Sequence, residues 1–126
     1  MSSSVPTVAV IGASSDRNKF GNKALRAFRA QGYTAIPINP HEREVEGERA
    51  YASVLDYPGP IDEATFYVQP EIGLKVIEDV ARKHIPVVWL NPGAESDELI
   101  ARARALGMQP RVACSILAIG DSPGRY

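Results

Sequence analysis

The stretch Val8-Ala9-Val10-Ile11-Gly12-Ala13-Ser14-Ser15, which continues through Asp16-Arg17-Asn18-Lys19-Phe20 to Gly21, decides the fold. An apolar run ends at a glycine, small and hydroxylated residues follow, and a second glycine opens a helical pattern. This order is typical of a buried parallel strand that leads into a phosphate-binding turn. Small residues let the backbone approach an anion, while Ser14, Ser15 and Lys19 add hydroxyl donors and a positive charge. The alternative interpretation is an ordinary strand–loop–helix corner.

Length and composition indicate a single globular domain, which we place at 1–126 with a core of about 6–118 and an irregular C-terminal tail. The net charge of −1 argues against a nucleic-acid partner. No apolar run approaches the roughly 20 residues that span a membrane, and Met1–Ser4 lacks the features of a signal peptide. The single cysteine, Cys114, excludes an internal disulfide. We therefore expect a cytoplasmic protein that binds neither nucleic acid nor membrane.

The remainder of the chain alternates strand-like and helix-like segments. Strands are predicted at 33–38, near 49–51, and at 63–68, 87–90 and 109–113. Helices are predicted at 22–31, 70–81 and 99–106, with a helical turn at 53–56. We interpret 41–49 as a solvated loop and 114–126 as mostly irregular. This alternation predicts an α/β fold, a Rossmann-like doubly wound parallel sheet in three layers with the strand order 3-2-1-4-5-6.

In that order the first strand lies beside the strand that ends at Val68, and a crevice opens at their carboxyl ends. The second strand ends in Asn39-Pro40-His41, which offers no carboxylate for the ribose of NAD. Cations near the same place suit an additional phosphate, and they are Arg17, Lys19, His41 and Arg43. A nucleotide with an extra phosphate is therefore favoured, and NAD(P) is kept as an alternative.

The chain resembles the coenzyme A-binding domain family, which is similar to the amino-terminal domain of the succinate–CoA ligase α subunit and has small free-standing bacterial members. The resemblance covers 6–118. It is carried by Val8–Ser14 with Phe20-Gly21, and by Ala35–Pro40, Phe66–Pro70, Val88–Gly93 and Cys114.

This resemblance implies a Rossmann-type domain that binds coenzyme A or an acyl-CoA. The loop 12–19 would hold the pyrophosphate, the turn 39–41 would lie near the adenosine, and 68–70 with 91–93 would line the pantetheine path. The cofactor-binding residues expected in this way are Gly12, Ala13, Ser14, Ser15, Arg17, Lys19, Phe20, Asn39, Pro40, His41, Val68, Gln69, Pro70, Asn91, Pro92, Gly93 and Cys114.

The chain departs from the ligase at two points. His41 stands where the ligase has a basic residue, so a weaker contact with the 3′-phosphate is expected. The phosphorylated histidine of the ligase lies in a second domain, which we do not expect in this protein. No motif supports catalysis or metal binding, and we expect a stand-alone binding module that is not an enzyme. A subunit of an acyl-CoA ligase-type enzyme and an unliganded scaffold remain alternatives, and a homodimer is compatible with the sequence.

Further predictions concern five individual side chains. Trp89 is expected in the core and His84 on the surface at a helix end. Glu71 and Glu95 are expected to complement helix dipoles rather than to act as acids or bases. Cys114 is either a small buried hydrophobe or the partner of CoA in a mixed disulfide.

Overall fold

Five segments form one parallel sheet in the computed structural model, which describes residues 5–126. The strands of this sheet are β1 (Thr7–Ile11), β2 (Thr34–Ile38), β5 (Glu63–Phe66), β6 (Val87–Leu90) and β7 (Gln109–Val112). A separate hairpin consists of β3 (Glu44–Val45) and β4 (Glu48–Arg49). The helices are α1 (Phe20–Ala30), α2 (Pro70–Arg82), α3 (Asp97–Ala105) and α4 (Ser115–Ala118), with 3₁₀ turns at Val54–Asp56 and Pro123–Arg125. The prediction for Met1–Ser4 falls outside the described residues.

The strand order is β2-β1-β5-β6-β7, with every neighbouring pair parallel. In register, Ile11 of β1 lies between Ile38 of β2 and Phe66 of β5, so these three strands end at one level. Beyond β2, Tyr51 makes a single parallel bridge to Ile38. The predicted order is confirmed, and the predicted third strand is reduced to this one residue pair.

Both faces of the sheet are covered by helices, which makes three layers. Val8 and Val10 of β1 pack with Leu25 and Phe28 of α1 on one face, together with α4. Ala9 and Ile11 face the opposite way, into a cluster formed with α2 and α3. Burial of each large apolar side chain stabilises the fold by about 1.5–3 kcal/mol. Among residues 5–126, no helix combines the length and the apolar character needed to cross a bilayer.

The predicted loop at 41–49 is wrong. The hairpin β3–β4 turns at Glu46 (φ 50°) and Gly47 (φ 78°), the conformation that a tight two-residue turn requires. Val45, which is 1% exposed, anchors the hairpin in the α1 layer. In the sequence Val45 is surrounded by charged residues, so no apolar pattern indicates the hairpin.

Two element boundaries also differ from the prediction. Helix α1 begins at Phe20 rather than at residue 22. The segment after 114 is more regular than predicted, because Ile116 of α4 is fully buried in the α1 layer. Near the end of the chain, buried Asp121 accepts hydrogen bonds from the Tyr126 hydroxyl (2.6 Å) and Gln31 (3.2 Å).

The loop after β1, residues 12–19, depends on two glycines. Gly12 has a φ of +87°, and a Cβ there would lie 2.8 Å from the Tyr67 carbonyl oxygen and 2.9 Å from Val68 Cγ1. A Cβ on Gly21 would collide with the Gly12 carbonyl oxygen. The loop therefore lies directly on the start of α1 and on the end of β5. We call residues 12–19 the first loop.

Gly12→Ala is expected to lower the free energy of unfolding by about 1–3 kcal/mol more than Gly32→Ala. Both substitutions strain a backbone with positive φ, but only the new Cβ at position 12 also overlaps with neighbouring atoms. Gly32 is the matched control, since it has a φ of +89° with nothing within 4 Å of its added Cβ. Urea denaturation followed by circular dichroism measures both variants. Equal losses of unfolding free energy in the two variants would show that the first loop has room to move away from β5.

Candidate functional site

Two cavities adjoin at the carboxyl ends of the strands, and they share Gly12 and Val68. The large cavity, about 480 Å³, lies towards β6 and is lined by Gly12, Lys19, Phe20, Gly21, Tyr67, Val68, Gln69, Asn91, Pro92, Gly93, Ala94 and Cys114. The small cavity, about 280 Å³, lies towards β2 and is lined by Ile11, Gly12, Ile38, Asn39, Pro40, His41, Ala52, Ser53, Val54, Val68, Ile72, Val76 and Asp79. The first loop and the end of β5 thus separate two compartments of one cleft.

Most of the residues predicted for the site line this cleft. The large cavity gathers Gly12, Lys19, Phe20, Val68, Gln69, Asn91, Pro92, Gly93 and Cys114, and the small cavity gathers Asn39, Pro40 and His41. Five predicted residues line neither cavity, namely Ala13, Ser14, Ser15, Arg17 and Pro70. Four of these five belong to the first loop, where the side chains of Ser15 and Arg17 contact Glu42 and Glu46 instead.

The serines of the first loop already have partners within the protein. The Ser14 hydroxyl accepts a hydrogen bond from the Asp16 backbone N–H (3.0 Å) and thereby caps the turn. The Ser15 backbone N–H and hydroxyl both donate to Glu42 Oε2, at 2.8 and 2.9 Å. The Asn39 side chain donates to the Ala13 carbonyl at 2.8 Å. These contacts tie the first loop to the turn that follows β2.

Asn22 braces the same loop from inside α1. Its side chain is fully buried and donates to the Ser14 carbonyl (2.8 Å) and to Glu46 Oε2 (3.1 Å), while it accepts from Arg26 Nε (2.7 Å). Arg17 Nε lies 3.3 Å from the same Glu46 oxygen. The hydrogen bond from Asn22, with Arg17 and further arginines nearby, holds the pKa of Glu46 below its usual value. The hairpin therefore helps to hold the first loop, and it engages Arg17.

A buried polar network forms the floor of the large cavity. Asn91 Nδ2 donates to Thr65 Oγ1 (2.7 Å) and to the Phe66 carbonyl (2.9 Å), and Asn91 Oδ1 accepts from the Ser115 N–H (2.9 Å). The Ser115 hydroxyl bonds with Thr65 Oγ1 (2.8 Å) and with the Tyr67 hydroxyl (3.0 Å). Burial raises the pKa of Tyr67 to about 12, so its hydroxyl stays protonated at neutral pH. Because Ser115 is fixed, the adjacent Cys114 is held at the cavity wall.

The mouth of the large cavity combines a cation with an exposed ring. Lys19 is exposed and, within residues 5–126, takes part in none of the ion pairs. Phe20 is 55% exposed and opens α1, and Lys23 Nζ lies 5.4 Å from its ring centroid. The free N–H groups at the start of α1 add a partial positive charge there. This edge of the cleft favours an anion.

The turn 39–41 offers no carboxylate, but the next residue, Glu42, brings one to the first loop, which the sequence analysis did not anticipate. The Asn39 side chain accepts from the His41 N–H (2.8 Å) and the Asn39 carbonyl from the Glu42 N–H (3.3 Å), so the chain reverses there. Glu42 then points back to Ser15. Hydrogen bonds from Ser15, aided by the charge of Lys19, hold the pKa of Glu42 below its usual value.

Other residues of the cleft also carry no local signal in the sequence. Ser53 comes from the 3₁₀ turn and donates to Asp79 Oδ2 of α2 at 3.2 Å, at the wall of the small cavity. Tyr67 follows β5 and precedes Val68, which was predicted for the site. This neighbouring position is the one feature of the sequence that points to Tyr67 as a cleft residue. No group of three or more His, Cys, Asp or Glu side chains within residues 5–126 is arranged to hold a metal ion.

Three predictions for residues outside the cleft are confirmed, whereas the one for Glu95 is wrong, because Glu95 precedes the N-cap Ser96 of α3 and accepts a hydrogen bond from the Gly93 N–H (3.1 Å). Trp89 is 8% exposed and donates from Nε1 to Glu63 Oε1 at 2.7 Å. His84 is exposed after the end of α2, with a φ of 61°. Glu71 lies in the first turn of α2, as predicted, and complements the helix dipole there.

Comparison with known proteins places this chain in a family. Residues 6–120 match the family described as "CoA binding domain". The α subunit of an ADP-forming acetate–CoA ligase II from Pyrococcus furiosus is 32% identical over 113 residues, which is 81% of this chain and 25% of that subunit. The chain thus spans about a quarter of the length of this ligase subunit.

Smaller relatives match over more of their length. The uncharacterized protein YneT of Bacillus subtilis is 30% identical over 91 residues, which is 72% of this chain and 67% of that protein. A solved hypothetical protein from Pyrococcus horikoshii superposes with a TM-score of 0.84 at 27% identity, covering 89% of this chain and 79% of the other. The resemblance noted from the sequence is confirmed, and the chain belongs to the CoA binding domain family.

Proposed function

We propose that the chain binds coenzyme A or an acyl-CoA along the two cavities of the cleft. The observation that carries this proposal is the meeting of the large and small cavities at Gly12, the first residue of the first loop. A ligand with a diphosphate in its middle and a different group at each end suits two compartments on either side of an anion-favouring loop. Family membership supports the same ligand.

Each part of the ligand has a compartment in this proposal. The diphosphate lies at the first loop, where Lys19 and the free N–H groups of α1 balance its charge. The adenosine end enters the small cavity beside the turn 39–41. The pantetheine arm follows the walls of the large cavity along 68–70 and 91–93, and its sulfur end reaches Cys114. Asn91 lines the cavity without donating a hydrogen bond to the ligand, because both Nδ2 hydrogens are already donated within the protein.

We infer a binding role rather than catalysis for this chain. The titratable side chains that line the large cavity within the described residues are Lys19, Tyr67 and Cys114. Tyr67 stays protonated, since its pKa is raised to about 12, and no paired acid and base is present among these three. The identity of 32% with a ligase α subunit favours a second role, in which the chain works as part of an acyl-CoA ligase-type enzyme with a partner chain.

NAD(P) is a second candidate ligand, and Glu42 in the turn after β2 favours NAD in particular, because NAD-binding sheets use an acid there to bind the ribose 2′-hydroxyl. Thermal unfolding with CoA, acetyl-CoA, NAD and NADP separates the two candidates. A ligand that binds only the folded state at about one hundred times its Kd stabilises the protein by about 2.7 kcal/mol. A response to CoA and none to NAD or NADP supports the proposal, and the reverse pattern contradicts it.

Lys19→Ala is expected to weaken CoA binding by about 1–2 kcal/mol, the scale of one charge-assisted hydrogen bond. Isothermal titration calorimetry measures the change in Kd. The matched control is Lys75→Ala, which removes the same charge from an exposed position of α2 that lines neither cavity. Unchanged affinity in Lys19→Ala would remove this lysine from the site.

Acetyl-CoA is expected to slow the alkylation of Cys114 by a maleimide, because the arm covers the wall where this residue lies. Its blocked thiol does not consume the reagent, and the single cysteine makes mass spectrometry of the intact protein unambiguous. ADP is the control, since it lacks the arm and leaves Cys114 reactive. Equal rates with and without saturating acetyl-CoA would show that the arm does not reach Cys114.

A further inference from the structure

The carboxylate of Glu42 occupies hydrogen-bond donors of the first loop that face solvent. One oxygen, Oε2, accepts from both the Ser15 N–H (2.8 Å) and the Ser15 hydroxyl (2.9 Å). Ser15 itself is exposed and Glu42 is half-buried, so the contact is open to exchange with a dissolved anion. We call the Ser15 N–H and hydroxyl, together with the Lys19 charge, the anion seat.

The donors of the anion seat stabilise negative charge. The two hydrogen bonds from Ser15 lower the pKa of Glu42, and the nearby Lys19 lowers it further. Arg17, the other cation of the first loop, is paired with Glu46 at 3.3 Å. A backbone N–H, a hydroxyl and a lysine also form the chemistry that binds a phosphate group.

Glu42 can leave the anion seat without disrupting the turn after β2. That turn keeps three other hydrogen bonds, from Asn39 Nδ2 to the Ala13 carbonyl (2.8 Å), from the Asn39 N–H to the Tyr51 carbonyl (2.9 Å) and from the His41 N–H to Asn39 Oδ1 (2.8 Å). The Glu42 side chain is therefore a removable contact on a turn that is otherwise fixed.

We propose that Glu42 is an internal occupant of the anion seat, and that a ligand phosphate binds Ser15 only by displacing this carboxylate. The inference rests on the proposed function in placing the phosphate at the first loop. Every anion has to displace the Glu42 carboxylate, so a small anion that makes no other contacts gains little binding free energy. A ligand that also fills the two cavities keeps useful affinity, because its other contacts offset the displacement.

The test compares Glu42→Gln with wild type by calorimetry, using CoA, ADP and inorganic pyrophosphate as separate probes. The amide keeps an oxygen that can accept from Ser15 but carries no charge. We expect Glu42→Gln to bind all three probes about tenfold more tightly, the scale of one charge-assisted hydrogen bond. The matched control is Glu44→Gln, which makes the same change of net charge two residues away, at an exposed side chain outside both cavities. It is expected to leave the three affinities unchanged.

The outcomes separate this inference from the proposed function. If wild type binds CoA and Glu42→Gln gains nothing, the inference fails while CoA binding stands. Weaker binding in Glu42→Gln would also overturn it, since Glu42 would then be a ligand contact, for example to ribose hydroxyls. Tighter binding of ADP and pyrophosphate, with no CoA binding by either protein, would support the anion seat and overturn the proposed function. Gains of the same size in Glu44→Gln would show a general charge effect and would overturn the inference.

Discussion

The close approach of backbone at Gly12 is the constraint on which the cleft depends. Gly12 packs against the Tyr67 carbonyl oxygen, and Gly21 packs against the Gly12 carbonyl oxygen. Neither glycine has space for a Cβ. This packing sets the free N–H groups of α1 directly beside the end of β1. It also makes Gly12 the shared wall of both cavities, so the shape of the cleft is determined largely by backbone.

A second layer of constraint comes from buried polar side chains that connect distant segments. Asn22 joins α1 to the first loop and to the hairpin, and Asn91 joins β6 to β5 and to the start of α4. Each uses both amide hydrogens and the amide oxygen. A buried amide left without partners would be destabilising by about 1–3 kcal/mol, so these contacts fix the relative positions of the segments that surround the cleft.

The sequence predicts the parts of this arrangement that have a local cause. The apolar run before Gly12 and the polar loop after it specify a strand and a turn, and the alternation of elements specifies the strand order. The cavity walls at 39–41, 68–69 and 91–93 follow, because carboxyl ends of parallel strands meet at one edge. The hairpin at 44–49 escaped prediction, since one buried valine among charged residues leaves no periodicity. Glu42, Ser53 and Asp79 also escaped it, because their positions depend on pairings between segments far apart in the chain.

The first loop is held in place by the protein itself. Within the described residues, every buried side-chain nitrogen and oxygen has a hydrogen-bond partner. Ser14 caps its own turn, Asn22 and Asn39 hold the loop carbonyls, and Glu42 fills the exposed donors of Ser15. Such a loop is preorganised, so a ligand spends little of its interaction free energy on ordering the backbone. The affinity of an anion for this loop is then a difference between two similar sets of contacts, those with the anion and those with Glu42. In the proposed binding mode the ends of the ligand enter the two cavities, and they would then contribute more to selection than the charge at its centre.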